Sequence, residues 1–116
     1  MKHNPTLANS NFTERAKEVL AFDQYGKLSA IFKSVYMAGN MLLMSQQGIS
    51  NTCVGRTRSS NGLYFRHLHP NVVIESSDLG KLDIRDYDKV IGEYRLYKST
   101  TEMFSDRENF INKTKK

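Results

Sequence analysis

The segment from Cys53 to His69, CVGRTRSSNGLYFRHLH, concentrates arginine, histidine and aromatic residues in a short stretch of chain. Guanidinium groups bind phosphates through paired hydrogen bonds, and aromatic rings offer stacking surfaces for bases. The pair Asn61-Gly62 stands between two strand-like runs, TCVGRTR and LYFRHLH, which predicts a β-hairpin with a two-residue turn. Two-stranded ribbons of this kind can enter a groove of duplex DNA.

The register of this hairpin decides which side chains share a face. Cross-strand partners lie on the same face, so one face would carry Arg56, Arg58, Leu63, Phe65, His67 and His69. The other face would carry Cys53, Thr57, Tyr64, Arg66 and Leu68. We therefore predict contacts to the phosphates of DNA or RNA from five residues: Arg56, Arg58, Phe65, Arg66 and His67. The alternative is an ordinary sheet in which Phe65 packs inward and the arginines lie along an edge.

Residue patterns for catalysis or metal binding are incomplete in this sequence. His67 and His69 could share a metal, but a zinc site needs a third and usually a fourth ligand, and Cys53 would lie on the opposite face. The acidic run DIRDYD contains Asp83, Asp86 and Asp88. It has neither the ligand spacing nor the glycine of an EF-hand loop. No glycine-rich phosphate loop is present. We expect no cofactor and no metal, and favour a binding protein over an enzyme.

The charge is distributed unevenly along the chain. The net charge is +5, residues 24–74 contain no Asp or Glu, and residues 75–93 contain six acidic residues. The chain ends with Lys113, Lys115 and Lys116. An acid-free window of this length favours an anionic partner, although solubility alone also requires some net charge.

Length and cysteine content limit the class of protein. A chain of 116 residues fits one domain, for which we predict a flexible arm over residues 1–10, a compact domain over 11–113 and a basic tail over 114–116. Its single cysteine cannot form an intramolecular disulfide, which predicts a reducing, cytoplasmic location. The most apolar window, Leu28–Met44, contains a lysine and is too short to span a bilayer, so we expect no membrane partner.

Helices are predicted at both ends of the domain. The first helix is predicted over residues 10–22, where Asn11 can cap it and Glu14 can complete a capping box. The apolar spacing over 28–43 predicts a second helix, which Gly48 ends. Near the other terminus, Ser99 and Glu102 form a capping box before a closing helix.

Between the helices the pattern changes to short strands. The hairpin is followed by VVIES and then by a turn at Gly80. Residues 81–98 fit either strand or helix, and we favour a strand over 90–98 because Val, Ile and Tyr suit a pleated surface and glycine weakens a helix.

These elements predict an α+β fold with two N-terminal helices, a small antiparallel sheet of three or four strands and a C-terminal helix. The function we predict is a small nucleic-acid-associated binding protein. The alternative is a protein–protein interaction module, such as a regulator, an inhibitor or an assembly accessory protein of a virus or mobile element. It would use exposed tyrosines, the methionine row and the acidic residues 75–93; the row consists of Met37, Met41 and Met44.

Overall fold

The computed structural model describes residues 1–3 and 17–114. The elements follow in the order β1 (Lys2–His3), β2 (Val19–Phe22), β3 (Leu28–Phe32), α1 (Val35–Leu42), α2 (Gln46–Cys53), β4 (Tyr64–His67), β5 (Val72–Val73), a 3-10 turn (Ser76–Asp78), α3 (Ile84–Val90) and α4 (Thr100–Thr114). The strands form a three-stranded sheet in the order β3-β2-β4 and a two-stranded sheet, β1-β5; all pairs are antiparallel. The chain is therefore α+β, but the predicted order of two N-terminal helices, a sheet and a C-terminal helix is wrong, because the helices are interleaved with the strands.

The three-stranded sheet separates two apolar cores. Val19 and Ala21 of β2 face a core that includes Ala38 of α1 and Ile49 of α2. The alternate β2 side chains face a second core, formed with α3 and α4, that includes Leu20, Phe22, Ile84, Tyr87 and Met103. Successive side chains of a strand point to opposite faces, so a central strand covered on both sides must be apolar throughout. All four residues of β2 are accordingly buried.

The predicted helix over residues 10–22 is wrong at its C-terminal end, where Val19–Phe22 is the central strand β2. A continuous apolar run of four residues fits a buried strand as well as one turn of a helix, and only its partners decide between the two. Asn11 and Glu14, on which the predicted cap depended, lie outside the described residues.

The predicted helix over residues 28–43 is also wrong, because β3 and α1 divide it. Ser34 has extended backbone angles and its hydroxyl accepts a hydrogen bond from the Met37 amide (3.1 Å), so α1 begins after it. The helix ends at Leu43, whose φ of 56° is left-handed, rather than at Gly48, which lies inside α2. The residues of β3 that are fully or nearly buried, Leu28 and Phe32, are four apart, a spacing that also satisfies a helix.

The predicted turn at Asn61-Gly62 forms, but the hairpin around it does not. Both residues have positive φ (51° and 80°), and Ser60 and Leu63 exchange backbone hydrogen bonds of 2.9 and 3.0 Å. Helix α2 takes up the chain as far as Cys53, and β4 pairs with β2 instead of with residues 53–58. The predicted face that combined the arginines with the aromatic strand therefore has no structural basis.

In the C-terminal part, the predicted strand over 90–98 is wrong and the closing helix is confirmed. Residues 84–90 form α3, and residues 92–98 have no regular secondary structure. The Ser99 hydroxyl accepts a hydrogen bond from the Glu102 amide at 3.2 Å, so Ser99 caps α4 as predicted. The Glu102 carboxylate accepts from the Ser99 hydroxyl at 3.2 Å, whereas in a full capping box it would accept from the Ser99 backbone amide. Among the described residues, no helix is both long enough and apolar enough to cross a membrane.

Candidate functional site

Four arginine side chains line one surface groove of about 370 Å³, a size within the range of ligand pockets. The groove lies between the loop that follows α2 and the irregular segment that follows α3. Its lining residues are Gly55, Arg56, Thr57, Arg58, Arg66, Tyr94, Arg95 and Leu96. We call this surface the arginine groove.

Arg66 of β4 forms the floor of the arginine groove as part of a buried ion pair. Its Nε donates to Asp88 Oδ1 at 2.8 Å and its Nη2 to Oδ2 at 3.0 Å, while Nη1 donates to the Phe65 carbonyl at 2.9 Å. Both charged side chains are 2% exposed. Tyr97 donates a third hydrogen bond to Asp88 at 2.6 Å; burial, then this bond and the adjacent negative charge, raise the pKa of Tyr97 to about 12. The charge of Arg66 is therefore balanced inside the protein.

Arg95 joins the irregular segment to the end of α2. Its guanidinium donates to the carbonyls of Thr52 (3.2 Å) and Cys53 (2.8 Å), where a helix leaves its last carbonyls without partners and favours a cation. It also donates to the carboxylate of Glu93 at 2.7 Å. Gly55 lies directly against the guanidinium: a Cβ there would approach Arg95 to 3.3 Å, and its φ is +88°. Glycine at 55 thus allows both the loop conformation and this contact.

Arg56 and Arg58 differ from the other two arginines of the groove in being exposed. Neither guanidinium is paired with a carboxylate within residues 1–3 and 17–114. Because Asp88 and Glu93 neutralise the other two arginines, the arginine groove has a net charge of +2, and both uncompensated charges lie on the loop after α2. Such groups remain available to an anion from solvent.

An exposed aromatic ring stands beside these charges. Tyr94 is 83% exposed and Leu96 is 51% exposed, and both line the groove. The arginine groove therefore combines two free guanidinium groups with an aromatic and an aliphatic surface.

The predicted contact residues are only partly brought together. Arg56, Arg58 and Arg66 line the same groove, although Arg66 is buried. Phe65 is 0% exposed and belongs to the core between the sheet and α1 and α2, so it offers no surface for stacking. His67 lies at the end of β4, outside the groove lining. Burial, followed by the charge of Lys17, holds the pKa of His67 below its usual value, which keeps the ring neutral at pH 7.

The side chains considered for metal or nucleophilic chemistry do not assemble into a site. Within the described part of the chain, no three His, Cys, Asp or Glu side chains are grouped so that they could hold a metal ion. Burial raises the pKa of the Cys53 thiol to about 12, although Arg66 and Arg95 lower it somewhat, so the thiolate is scarce at neutral pH. What the groove offers is anion binding.

Sequence reasoning missed Tyr94 and Arg95, because both fell in the segment 90–98 that was predicted as a strand. The available signal was the alternation of aromatic and basic residues in EYRLYK, which resembles the alternation in the segment we had singled out. The contact that brings Arg95 to the end of α2 joins residues 42 positions apart and leaves no local trace in the sequence.

Comparisons of the chain with protein-family models, with curated proteins and with solved structures find no match.

Proposed function

We propose that this protein binds nucleic acid by its phosphates, with Arg56 and Arg58 as the residues that contact the backbone. The observation that carries the proposal is the pair of exposed guanidinium groups on one loop, in a groove whose other two arginines already have carboxylate partners. An arginine without an internal partner can bind a phosphate with two parallel hydrogen bonds, and each such contact releases counterions from the nucleic acid.

The neighbouring groups support this role by fixing the loop that carries the two arginines. Arg95 holds the end of α2, and the Thr57 hydroxyl lies 2.9 Å from that of the buried Thr52. The Arg56 amide also donates to the Asn51 carbonyl at 2.9 Å. A loop that is tied down on both sides of Arg56 loses less conformational freedom on binding, which leaves more of the interaction energy for affinity.

The test is a salt titration of binding to labelled oligonucleotides, followed by fluorescence anisotropy. For single strands log Kd should change linearly with log salt, with a slope of about 0.7 per phosphate contact. The Arg56→Ala/Arg58→Ala variant should therefore bind more weakly and lose about 1.4 from this slope, if each arginine holds one phosphate. Its free energy of unfolding should change by less than about 0.5 kcal/mol, as is usual for surface substitutions.

The matched control is Lys81→Ala/Lys89→Ala, which removes the same charge from two exposed lysines outside the groove. A general effect of net charge would appear equally in both variants, whereas phosphate contacts in the groove affect only the arginine variant. Equal effects, or no binding by the parent protein even at ~50 mM salt, where phosphate contacts are strongest, would reject the proposal.

A second candidate function is a protein–protein interaction module, and one observation favours it. Helix α1 and the residue that ends it leave four large apolar side chains exposed: Tyr36, Met37, Met41 and Leu43. Clustered apolar exposure is unusual on a monomer and often marks a contact surface. Met41→Gln, which leaves the net charge unaltered, would leave nucleic-acid binding unchanged and would disrupt a contact through α1, including self-association measured by sedimentation velocity.

A further inference from the structure

Tyr94 is the most exposed of the large hydrophobic residues that the structure describes, at 83%. Among the described residues it makes no ring contact, whereas four other tyrosines each pack against a second aromatic ring: Tyr25, Tyr64, Tyr87 and Tyr97. Tyr94 lines the arginine groove together with Arg56 and Arg58, so its exposed ring lies in the same groove as the two unpaired guanidinium groups.

The backbone on either side of Tyr94 is held in place although it has no regular secondary structure. Before it, the Glu93 amide donates to the Asp88 carbonyl at 2.9 Å. After it, the Arg95 side chain is bound to the end of α2, and the Tyr97 hydroxyl to Asp88. Tyr94 is thus presented to solvent from a short segment that is anchored at both ends, which is the arrangement expected of a stacking platform.

Bases of a duplex are stacked inside the helix, so a single protruding ring meets mainly sugar and phosphate there. Unpaired bases expose their faces and stack on aromatic side chains, while basic residues follow the backbone. The two-stranded ribbon that could have entered a duplex groove is absent from residues 53–69, since residues 53–58 pair with no strand. The arginine groove instead offers one aromatic ring beside two phosphate-binding groups.

We propose that the arginine groove selects single-stranded nucleic acid, with one unpaired base stacked on Tyr94 while Arg56 and Arg58 hold the adjacent phosphates. This inference depends on the proposed function and names the class of nucleic acid that the groove takes. Tyr94 is its specificity-determining residue, because phosphates are common to single strands and duplexes, whereas an accessible base face is not.

The test compares three probes of equal length: a single-stranded oligonucleotide, the duplex made from it, and an abasic strand of the same phosphate content. Tyr94→Leu should weaken binding to the normal single strand about tenfold or more, the effect expected from losing one stacked base. The same variant should leave the affinities for the duplex and for the abasic strand unchanged. Tyr94→Phe retains a ring and should bind like the parent, and Tyr36→Leu, a change at another exposed tyrosine outside the groove, is the control.

The outcomes separate this inference from the proposed function. If the arginine variant loses binding but Tyr94→Leu binds the normal single strand like the parent, stacking is rejected and phosphate binding stands. If Tyr94→Leu weakens all three probes equally, the residue acts on the groove as a whole, and base recognition is again rejected. A parent protein that prefers the duplex overturns the inference, and one that binds none of the probes at ~50 mM salt overturns both.

Discussion

Replacing Asp88 by Asn tests how strongly the buried ion pair stabilises the fold. Asp88 and Arg66 are each 2% exposed, and the carboxylate accepts hydrogen bonds from Arg66 Nε, Arg66 Nη2 and the Tyr97 hydroxyl. The substitution is nearly isosteric, so packing is preserved. It removes the negative charge and replaces one carboxylate oxygen by an NH2 group, which donates hydrogen bonds and cannot accept them. In the position of Oδ1 this group faces Arg66 alone, and in the position of Oδ2 it faces both Arg66 and Tyr97.

The magnitude follows from the hydrogen bonds that are lost. Two bonds that involve a charged group contribute about 1.5–3 kcal/mol each, and breaking a buried pair by removing one partner costs about 3–5 kcal/mol. The two figures agree, so we expect a loss of about 3–5 kcal/mol. For a domain of this length each kcal/mol lowers the melting temperature by roughly 4 °C, which predicts a decrease of roughly 12–20 °C.

Thermal and urea unfolding, followed by circular dichroism, would measure this effect. The control is Asp106→Asn in the partly exposed pair with Lys98 (2.7 Å), where the loss should stay below about 1 kcal/mol. Asp88→Leu combined with Arg66→Met should recover part of the stability, because no buried charge is then left unpaired. An Asp88→Asn variant that melts like Asp106→Asn would refute the buried pair as described.

Three further predictions concern the fold. Gly62→Ala should cost more stability than Gly80→Ala in urea unfolding. Both glycines have positive φ, but a Cβ at 62 would lie within 2.4–2.6 Å of α4, whereas one at 80 meets nothing within 4 Å. Equal costs would contradict the close approach of residue 62 to α4. Ile49→Asp should unfold the protein, since Ile49 is 0% exposed, whereas Ile31→Asp, at a site 41% exposed, should be tolerated. The reverse order of stability would favour the single helix over 28–43 that the sequence predicted. Because the pKa of His67 is lowered in the folded protein, the unfolded chain binds more protons below pH 6.5. The free energy of unfolding should therefore fall as the pH decreases from about 7 to 5, and His67→Gln should flatten that dependence.

The features that could be predicted from the sequence are those that neighbouring residues determine. Asn61-Gly62 adopts positive φ at both positions because these two residues tolerate the left-handed region, and Gly80 does the same at its turn. Ser99 caps α4 because its hydroxyl and the Glu102 amide are three residues apart, and the first turn of a helix brings these two groups together.

The strand assignments failed where distant partners decide the structure. Val19–Phe22 is a strand because β3 covers one edge and β4 the other, and because helices cover both faces. That double burial removes the alternation of apolar and polar residues by which a strand is recognised. Residues 53–58 have the alternation and the turn of a hairpin, but α2 extends to Cys53 and β4 finds its partner in β2 instead.

The candidate site shows the same dependence on distant contacts, in terms of charge. Five positions were predicted from residue type and from an assumed hairpin register. Neither can show whether the charge of an arginine is balanced by an internal carboxylate. Arg66 is neutralised by Asp88, 22 residues further along the chain, so its presence in the groove adds shape rather than net charge. Arg56 and Arg58 remain uncompensated because the acid-free window supplies no carboxylate nearby, and four acids of residues 75–93 pair with other cations: Asp78, Asp83, Asp88 and Glu93. The uneven charge of the sequence thus has its effect by leaving Arg56 and Arg58 without a carboxylate partner, and for this reason the proposed function assigns the phosphate contacts to these two residues.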